Sequence, residues 1–359
     1  MDASISAGNR YGTITMNTFA NLPAKERELF FRQYQQLRGV DPVIAEKDFW
    51  VCWLLARIFA QPELANSCLF KGGTSLSKVF HAIERFSEDI DLSIFPASIG
   101  WKEADLDDAP SRKQRELRNA KLEEACAETV EKKWKPLLEG TIRSMLGKPE
   151  SRAEWLSYEF SKESHSPILY FAYPGALPRG VAYIAREVKI EFGSLTDQRP
   201  INRHPIQAFV TDLAPDAFTD FKTEVVALEL ERTFWEKATI LHAEYHRPPN
   251  SPIRDRLARH YADFAELWLR DEATHAARNR LDLLKSVREH KERFFFSNWA
   301  NYASAVPSNL KLLPPDHRMD ALRTDYKAMQ QMFLNEPRPF DEIINVLSAA
   351  EKELGGVKS

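Results

Sequence analysis

Residues 71–94 constrain the fold more than any other part of the chain, because they combine a glycine pair, an amphipathic stretch and two aspartates. A short apolar run at positions 68–70 precedes them and is typical of the end of a buried strand. Gly72 and Gly73 then allow backbone angles that other residues avoid, so we expect a tight turn. The stretch therefore predicts a strand, a turn, a helix and a second strand, in that order.

The residues after the glycines predict a helix whose N-terminus faces the turn. Thr74 and Ser75 stand where N-cap hydroxyls belong, and apolar residues recur at helical spacing from position 76 to position 83, which suggests a helix of about ten residues. Because a helix N-terminus offers free N–H groups and the positive end of its dipole, we predict a phosphate site here. The residues expected to bind the nucleotide are Lys71, Gly72, Gly73, Thr74, Ser75, Lys78 and Arg85.

Two aspartates follow on the predicted second strand. Residues 88–94 alternate polar and apolar, so Asp89 and Asp91 share one face. Two carboxylates a few ångströms apart would repel by roughly 4 kcal/mol at an effective dielectric constant near 20, which favours a cation between them. Mg²⁺ prefers oxygen ligands and phosphate, and is the predicted ion. A glycine pair alone or an Asp-x-Asp alone is common, so the prediction depends on their combination.

With these residues in view, the chain resembles the nucleotidyltransferase β superfamily, in which a Gly-Gly-Ser/Thr turn, a helix and an Asp-x-Asp pair follow one another. The segments KGGTSLSK and RFSEDIDL resemble specifically the AbiEii/AbiGii family of abortive-infection and toxin–antitoxin nucleotidyltransferases, which includes MenT-like toxins. Family members also carry Glu-Lys-Asp followed by aromatic residues, and this chain has EKDFW at positions 46–50. The resemblance implies Mg²⁺-dependent chemistry on an NTP.

The resemblance also implies a third metal ligand on a later strand. Residues 181–192 are strand-like, with Glu187, Lys189 and Glu191 on one face and apolar residues on the other. Glu191 resembles the third acidic residue of the family, which would join Asp89 and Asp91 as a catalytic metal ligand. Alternatively, Glu191 is a charge on an edge strand paired with Lys189.

Two further motifs lie on predicted helices. Residues 228–246 have apolar side chains at helical spacing, and WEKA at positions 235–238 resembles the Ala-Glu-Lys motif of the family, with tryptophan replacing alanine. Lys237 would then be catalytic and bind an NTP phosphate, whereas the alternative is a solvated helical lysine.

The second of these motifs begins at Arg259 and resembles Arg-Asp-x-x-Asp, although His260 stands where the family usually has the first aspartate. Asp263 matches the second aspartate, and the resemblance implies a catalytic role for it. Alternatively, Asp263 pairs locally with Arg259, an interaction that contributes only about 0.2–0.5 kcal/mol.

Length and composition agree with a two-domain enzyme. The 359 residues are 43% hydrophobic and 28% charged, which is enough to bury a sizeable core. We expect an α+β fold in which a nucleotidyltransferase core, with a small mixed sheet and helical flanks, precedes a helical domain that closes the nucleotide cleft. The predicted domains are residues 1–223, with a helical insertion at about 105–150, and residues 224–359, where the pattern is almost wholly helical. The aromatic residues at positions 294–296 and Trp299 are expected in the core.

The formal net charge of −3 excludes a globally cationic nucleic-acid binder but permits a local basic face. One candidate face lies within residues 112–121 and is typical of a solvated helix. The other is formed by the arginines at positions 247, 254, 256 and 259, next to the motif-bearing helices, and is the predicted RNA contact.

Cysteine usage and hydropathy bear on the compartment. Cys52, Cys68 and Cys126 are widely spaced and form no CxxC pair, which fits a reducing cytoplasm. No secretion signal and no uninterrupted run of about 18 apolar residues is present, so we expect a cytoplasmic protein without a membrane partner.

The resemblance implies the toxin of a toxin–antitoxin or abortive-infection phage-defence system, with a cognate antitoxin as a further partner. Such a toxin would transfer NMP from NTP to an RNA acceptor, with the tRNA 3′ end favoured, and so block translation. Two alternatives stay open, namely transfer to a protein or a small molecule, and a non-catalytic nucleotide-binding partner protein. Three converging carboxylates favour the enzyme, because a binding module has no need for them.

Overall fold

The computed structural model describes residues 13–106, 111–177 and 185–356. These residues form two compact units. One contains the described residues up to Val79 together with Ser87–Ala227, and the other contains Phe80–Phe86 together with the residues from Leu228 onward. A short segment from the first third of the chain therefore belongs to the C-terminal unit.

The helices of the first unit include one pair that the sequence locates well. The predicted break near residues 39–42 is confirmed, because the helix Ala24–Arg38 ends there and Gly39 follows it in the left-handed conformation with φ of 73°. The next helix starts at Pro42, and the side chain of Asp41 accepts a hydrogen bond from the N–H of Val43 at 2.8 Å. The helices are α1 (Met16–Ala20), α2 (Ala24–Arg38), α3 (Pro42–Ala60), α4 (Pro62–Ala65), α5 (Gly72–Lys78), α6 (Arg112–Thr129) and α7 (Lys135–Leu146), with a π-helical turn (Val130–Trp134) joining the last two.

The strands of the described residues are β1 (Cys68–Lys71), β2 (Ile90–Ile94), β3 (Leu156–Ser161), β4 (Ser166–Phe171), β5 (Val188–Gly193), β6 (Ile201–Gln207) and β7 (Lys222–Leu228). They form one seven-stranded mixed sheet in the order β3-β4-β5-β2-β1-β7-β6. At the centre of the sheet, β1 and β2 are antiparallel, whereas β2 and β5 are parallel, as are β1 and β7. The predicted α+β class and mixed sheet are confirmed, and the sheet is larger than expected.

The prediction that the chain is almost wholly helical from residue 224 is wrong at its start. Residues 222–228 form β7, whose Ala227 lies beside Phe70 of β1 in the middle of the sheet. Val225 and Val226 favour a strand, and pairing with a strand more than 150 residues earlier decides the conformation. Such a pairing leaves no signal in local periodicity.

Helix α3 is the central buried helix of the first unit. Most of its residues are buried, as its nearly continuous apolar sequence requires. Its tryptophans pack on the sheet side, with Trp53 stacked on Phe171 at 5.7 Å between ring centroids and Trp50 stacked on Tyr173 at 5.6 Å. This packing fixes the EKD residues at the start of the same helix.

The second unit is helical and encloses its own aromatic core. Phe234 lies 4.9 Å from Phe264 and 5.0 Å from Trp235 between ring centroids. The segment Phe80–Phe86 joins this unit through an antiparallel bridge between Arg85 and Phe333. The helices are α8 (Leu230–Tyr245), α9 (Ala258–Leu269), α10 (Asp271–Arg278), α11 (Leu281–Phe294), α12 (Met319–Ala328) and α13 (Phe340–Gly355).

Two aromatic residues expected in the core lie at the surface. Phe295 and Phe296 are 46% and 49% exposed. Helix α11 ends at Phe294, so the chain leaves the helix there and these side chains no longer share its buried face. Across the described ranges, every helix is too short or too polar to cross a membrane.

Candidate active site

The glycine pair and the second aspartate meet at the start of α5. Gly72 has φ of +82°, and a Cβ atom added to it would lie 2.0 Å from Asp91 Oδ2 and 2.8 Å from Asp91 Cγ. Glycine is therefore required both by the backbone conformation and by the carboxylate packed against it. The structure thus holds the Asp91 carboxylate against the first turn of the helix.

The two hydroxyls after the glycines lie inside the helix rather than at its N-cap, which corrects the predicted boundary. Helix α5 begins at Gly72 and ends at Lys78, so it is shorter than predicted and excludes the apolar residues beyond position 78. Ser75 Oγ donates to the carbonyl of Gly72 at 2.9 Å. Thr74 Oγ1 lies 2.9 Å from Ser87 Oγ and donates to the carbonyl of Asp89, so it holds the segment that enters β2.

The register of three strands aligns the predicted carboxylates with a lysine. Lys71 of β1 is the partner of Asp91 in β2, and Asp91 is the partner of Glu191 in β5. Neighbouring strands lie about 4.8 Å apart and register partners point to the same face, so these side chains form one row. Asp89 lies two residues before Asp91 and shares its face, although β2 begins only at Ile90.

A second lysine, which sequence reasoning considers only as a pairing partner of Glu191, lies among these carboxylates. Lys189 Nζ donates to Glu191 Oε2 at 2.6 Å. The only sequence signal for it is its position on the same strand face, two residues before Glu191. The pairing offered as the alternative for Glu191 is therefore present, but β5 lies between β4 and β2 and is not an edge strand.

The pKa values of Asp89 and Glu191 are shifted in opposite directions. Burial and the negative charge of Asp91 raise the pKa of Asp89 to about 6, although Lys189 partly opposes them. Burial also favours the neutral form of Glu191, but the Lys189 ammonium outweighs it and lowers the pKa of that carboxyl. Asp89 therefore carries repulsion that its neighbours do not relieve, whereas Glu191 is already compensated.

The carboxylates meet one test for a divalent cation and fail another. Burial is the larger cause of the raised pKa of Asp89, and repulsion from Asp91 adds to it, as expected where two carboxylates share a site. However, within the described ranges no group of three or more His, Cys, Asp or Glu side chains is arranged to hold a metal ion. Asp89 and Asp91 thus fit a hard cation, while Glu191 could join them only by exchanging its bond to Lys189.

The EKD residues of α3 are buried and hold neighbouring segments. Lys47 pairs with Glu88, next to Asp89, and donates to the carbonyl of Ala185 at 3.0 Å. Glu46 accepts a hydrogen bond from the backbone N–H of Ala176. These bonds connect α3 to the segments that precede β2 and β5.

Lys78 was predicted to contact phosphate, but the structure places its ammonium in the core. Its side chain is 5% exposed and donates to Asp48 Oδ1 at 2.6 Å. Its Nζ also lies 4.0 Å from the ring centroid of Phe209, whose N–H donates to the other Asp48 oxygen at 2.7 Å. Helix α5 ends at Lys78, and this side chain fastens the helix to α3.

Arg85, Lys237 and Asp263 meet in a buried cluster of the C-terminal unit. Arg85 donates to both oxygens of Asp263 at 2.7 and 2.9 Å, and Lys237 Nζ donates to Oδ2 at 2.6 Å. Asp263 thus pairs with these two cations rather than with Arg259, and Lys237 is buried rather than solvated. Lys237 Nζ also lies 3.3 Å from Nδ1 of His260, the residue at the departure from the family motif.

The charges of this cluster are set by burial and mutual attraction. Burial alone would raise the pKa of Asp263, but Arg85 and Lys237 hold it well below its ordinary range. Burial lowers the pKa of Lys237, and Arg85 adds to this effect while Asp263 opposes it. One carboxylate therefore compensates two cations, and the cluster keeps a positive charge while Lys237 is protonated.

A family model agrees with the motifs. The family described as "Nucleotidyl transferase AbiEii toxin, Type IV TA system" matches residues 53–346. Among solved structures, the chain is similar to MenT4, a nucleotidyltransferase toxin from Mycobacterium tuberculosis H37Rv, at 14% identity and a TM-score of 0.44, over 92% of this chain and 90% of that chain. The comparison with curated protein sequences gives no match.

Proposed function

Since the chain belongs to the AbiEii family of nucleotidyltransferase toxins of type IV toxin–antitoxin systems, we propose that it transfers NMP from an NTP to RNA. The 3′ end of tRNA is the proposed acceptor, a block of translation the proposed consequence, and a cognate antitoxin the proposed regulator. The observation that supports this most is the Asp91 carboxylate packed against Gly72, with Asp89 two residues away. It joins the carboxylate pair to the turn expected to hold phosphate.

Asp89 and Asp91 are the proposed Mg²⁺ ligands, and Glu191 is the proposed third. Support comes from the pKa of Asp89, which burial and the charge of Asp91 raise to about 6, because a bound divalent cation would relieve this repulsion. When bound, Mg²⁺ would supply charge neutralisation on the triphosphate and activation of the attacking hydroxyl.

The proposed reaction is an in-line displacement. The terminal hydroxyl oxygen of the RNA bonds to the α-phosphorus, the bond from that phosphorus to the bridging oxygen breaks, and pyrophosphate leaves. The hydroxyl proton passes to solvent. Backbone N–H groups at the start of α5 lack intrahelical acceptors and would donate to the β and γ phosphates, beside Lys71.

Two roles are proposed for residues of the C-terminal unit. Lys237 is proposed to neutralise charge on the triphosphate, in keeping with the family motif. Asp263 and Arg85 are proposed as positioning residues, because the carboxylate of Asp263 fixes both cations. We assign Lys78 to stability rather than to phosphate binding, since its ammonium is bonded to Asp48 in the core.

The experiment incubates the purified protein with Mg²⁺, total cellular RNA and each NTP labelled at the α-phosphate. Label on RNA that depends on Mg²⁺ is the expected result, and sequencing the labelled RNA identifies the acceptor. Label on the protein itself or on a small molecule would instead favour the other acceptors. NTP binding without any transfer would favour the non-catalytic partner protein.

A further inference from the structure

Exposed aromatic side chains concentrate on one part of the C-terminal unit. Large exposed aromatics in the described chain are Phe160 in the first unit and Tyr245, Phe295 and Phe296 in the second. Tyr245 is the last residue of α8, and the two phenylalanines directly follow α11. Exposed apolar surface is costly to maintain in water, so a local concentration of it indicates a binding surface.

Helices α8 and α11 bring these residues to the same end of the unit. The two helices run side by side in the same direction, because Arg232 bonds to Ser286 at 3.2 Å and Lys291 bonds to the carbonyl of Glu236 at 3.3 Å. The chain that leaves α11 therefore follows the last turns of α8. Asn301 confirms this path, since its side chain lies 3.4 Å from Nε2 of His246.

Two arginines are fixed at the same end of the unit, one of them against Trp299. Arg247 donates to both oxygens of Glu244 at 2.6 and 2.7 Å, and Arg254 donates to one of them at 2.7 Å. The Glu244 carboxylate is buried and serves two guanidinium groups, so the group keeps one positive charge. The Arg247 guanidinium lies 4.2 Å from the ring centroid of Trp299.

These residues define an aromatic–cationic surface, namely Tyr245, Arg247, Arg254, Phe295, Phe296 and Trp299. The Arg254 side chain is 53% exposed and can donate to a phosphate from its other nitrogens while Nη2 holds Glu244. Exposed rings accept stacked bases, and fixed cations attract the phosphates between them. A duplex hides its base faces in its own stack, so this combination fits an unpaired strand.

We propose that the aromatic–cationic surface binds a single-stranded segment of the acceptor RNA. The inference rests on the proposed function for the identity of that RNA. It keeps Arg247 and Arg254 of the basic stretch that the sequence predicts as the RNA contact, and adds aromatic rings to them. The stretch at residues 112–121 lacks such rings, and there Arg112 is paired with Glu116 on an exposed helix face.

Fluorescence anisotropy in the absence of NTP tests the proposal. It measures the binding of a short unstructured RNA and of a blunt duplex of the same sequence. Wild-type protein should prefer the single strand, and Tyr245→Ala and Phe296→Ala should each weaken it by roughly tenfold. Arg254→Ala should lower the salt dependence of log K by about 0.7. The matched controls are Phe160→Ala, an exposed aromatic of the other unit, and Arg323→Ala, an exposed paired arginine, and both should bind as wild type does.

Equal binding of duplex and single strand, or unchanged binding in all three surface variants, would overturn the proposal. Loss of self-association in sedimentation without loss of RNA binding would assign the aromatics to a protein interface and would also overturn it. Label transfer by the same proteins separates the two proposals. RNA labelling that all surface variants retain, with unchanged binding, sinks this inference alone, whereas RNA binding without any labelling by wild type sinks the proposed function alone.

Discussion

At the scale of single residues, Asp91 connects most of the features that the sequence singles out. It lies beside Lys71 and Glu191 in the sheet, and its carboxylate fills the space where Gly72 lacks a Cβ atom. The sequence predicts that Asp89 and Asp91 share a face, because strand alternation is local. It does not predict the contact with Gly72, since that depends on how β2 pairs with β1.

Gly72→Ala should impair both folding and activity. The added Cβ would overlap Asp91 Oδ2 at 2.0 Å, in addition to the strain of a positive φ. Gly100→Ala is the matched control, because Gly100 has φ of +85° but no atom within 4 Å of an added Cβ. We expect Gly100→Ala to cost about 1 kcal/mol of stability and to retain activity. Thermal unfolding and label transfer measure both, and equal effects of the two substitutions would contradict the contact.

The pKa of Asp89 predicts a stability effect that depends on pH. Burial and Asp91 raise this pKa from 3.8 to about 6, so the folded state binds the proton more tightly than the unfolded state. The resulting stabilisation is complete below pH 3.8 and is lost as the pH rises through 6. In EDTA, Asp89→Asn should therefore raise Tm relative to wild type by a few degrees at pH 8, with a smaller gain at pH 5. An equal gain at both pH values would show that the carboxylate is not perturbed.

Substitution of Glu191 and of Glu187, which lie on the same strand face, tests which of the two is the metal ligand. Glu191 is the register partner of Asp91, whereas Glu187 precedes β5 and lies about 13 Å further along an extended chain. Glu191→Gln removes a charge at nearly constant size, so it should raise the Mg²⁺ concentration needed for transfer, while Glu187→Gln should leave it unchanged. A Mg²⁺ titration of both variants decides this, and the reverse ranking would move the ligand to Glu187.

At the scale of elements, local periodicity predicts α2, α3 and the order of strand, turn, helix and strand around the glycines. It fails at the end of α5, where residues 79–83 continue a helical pattern but leave the helix. Ile83 and Phe86, beyond the end of the helix, are instead buried as part of the C-terminal unit. Hydrophobic periodicity predicts that a residue is buried, but it does not predict which part of the protein the residue packs against.

Substitution of Lys78 tests whether its buried ion pair with Asp48 holds α5 to α3. Lys78→Met would leave the Asp48 carboxylate buried without its cation, and should destabilise the protein by about 3–5 kcal/mol. Adding Asp48→Asn should recover part of the loss, because the amide oxygen can still accept from the N–H of Phe209. Lys71→Met, at a half-buried lysine, is the control for stability. If Lys78 bound phosphate instead, Lys78→Met would raise the KM for NTP with little change in Tm.

At the scale of the whole molecule, the chain divides between its two units in a way that sequence order does not reveal. Arg85, predicted to join the glycine turn, belongs to the C-terminal unit and pairs there with Asp263. Likewise, β7 belongs to the sheet although its sequence directly precedes a helical region. Both pairings join residues far apart in the chain, so neither is visible in a local pattern. The acidic pair lies within one local strand pattern, and Lys237 is singled out by its resemblance to a short family motif.

The central claim is that Asp91 belongs to a metal-dependent nucleotidyl-transfer site. Its most direct test measures transfer of label from NTPs labelled at the α-phosphate to RNA. Wild type, Asp91→Asn and Asp212→Asn are compared, each at the same number of degrees below its own Tm. Asp212 is the control, since its side chain is 33% exposed on the same unit and pairs with Arg38. We predict that wild type and Asp212→Asn label RNA in Mg²⁺ and not in EDTA, and that Asp91→Asn loses at least about 100-fold in rate. Asp91→Asn as active as wild type would contradict the account.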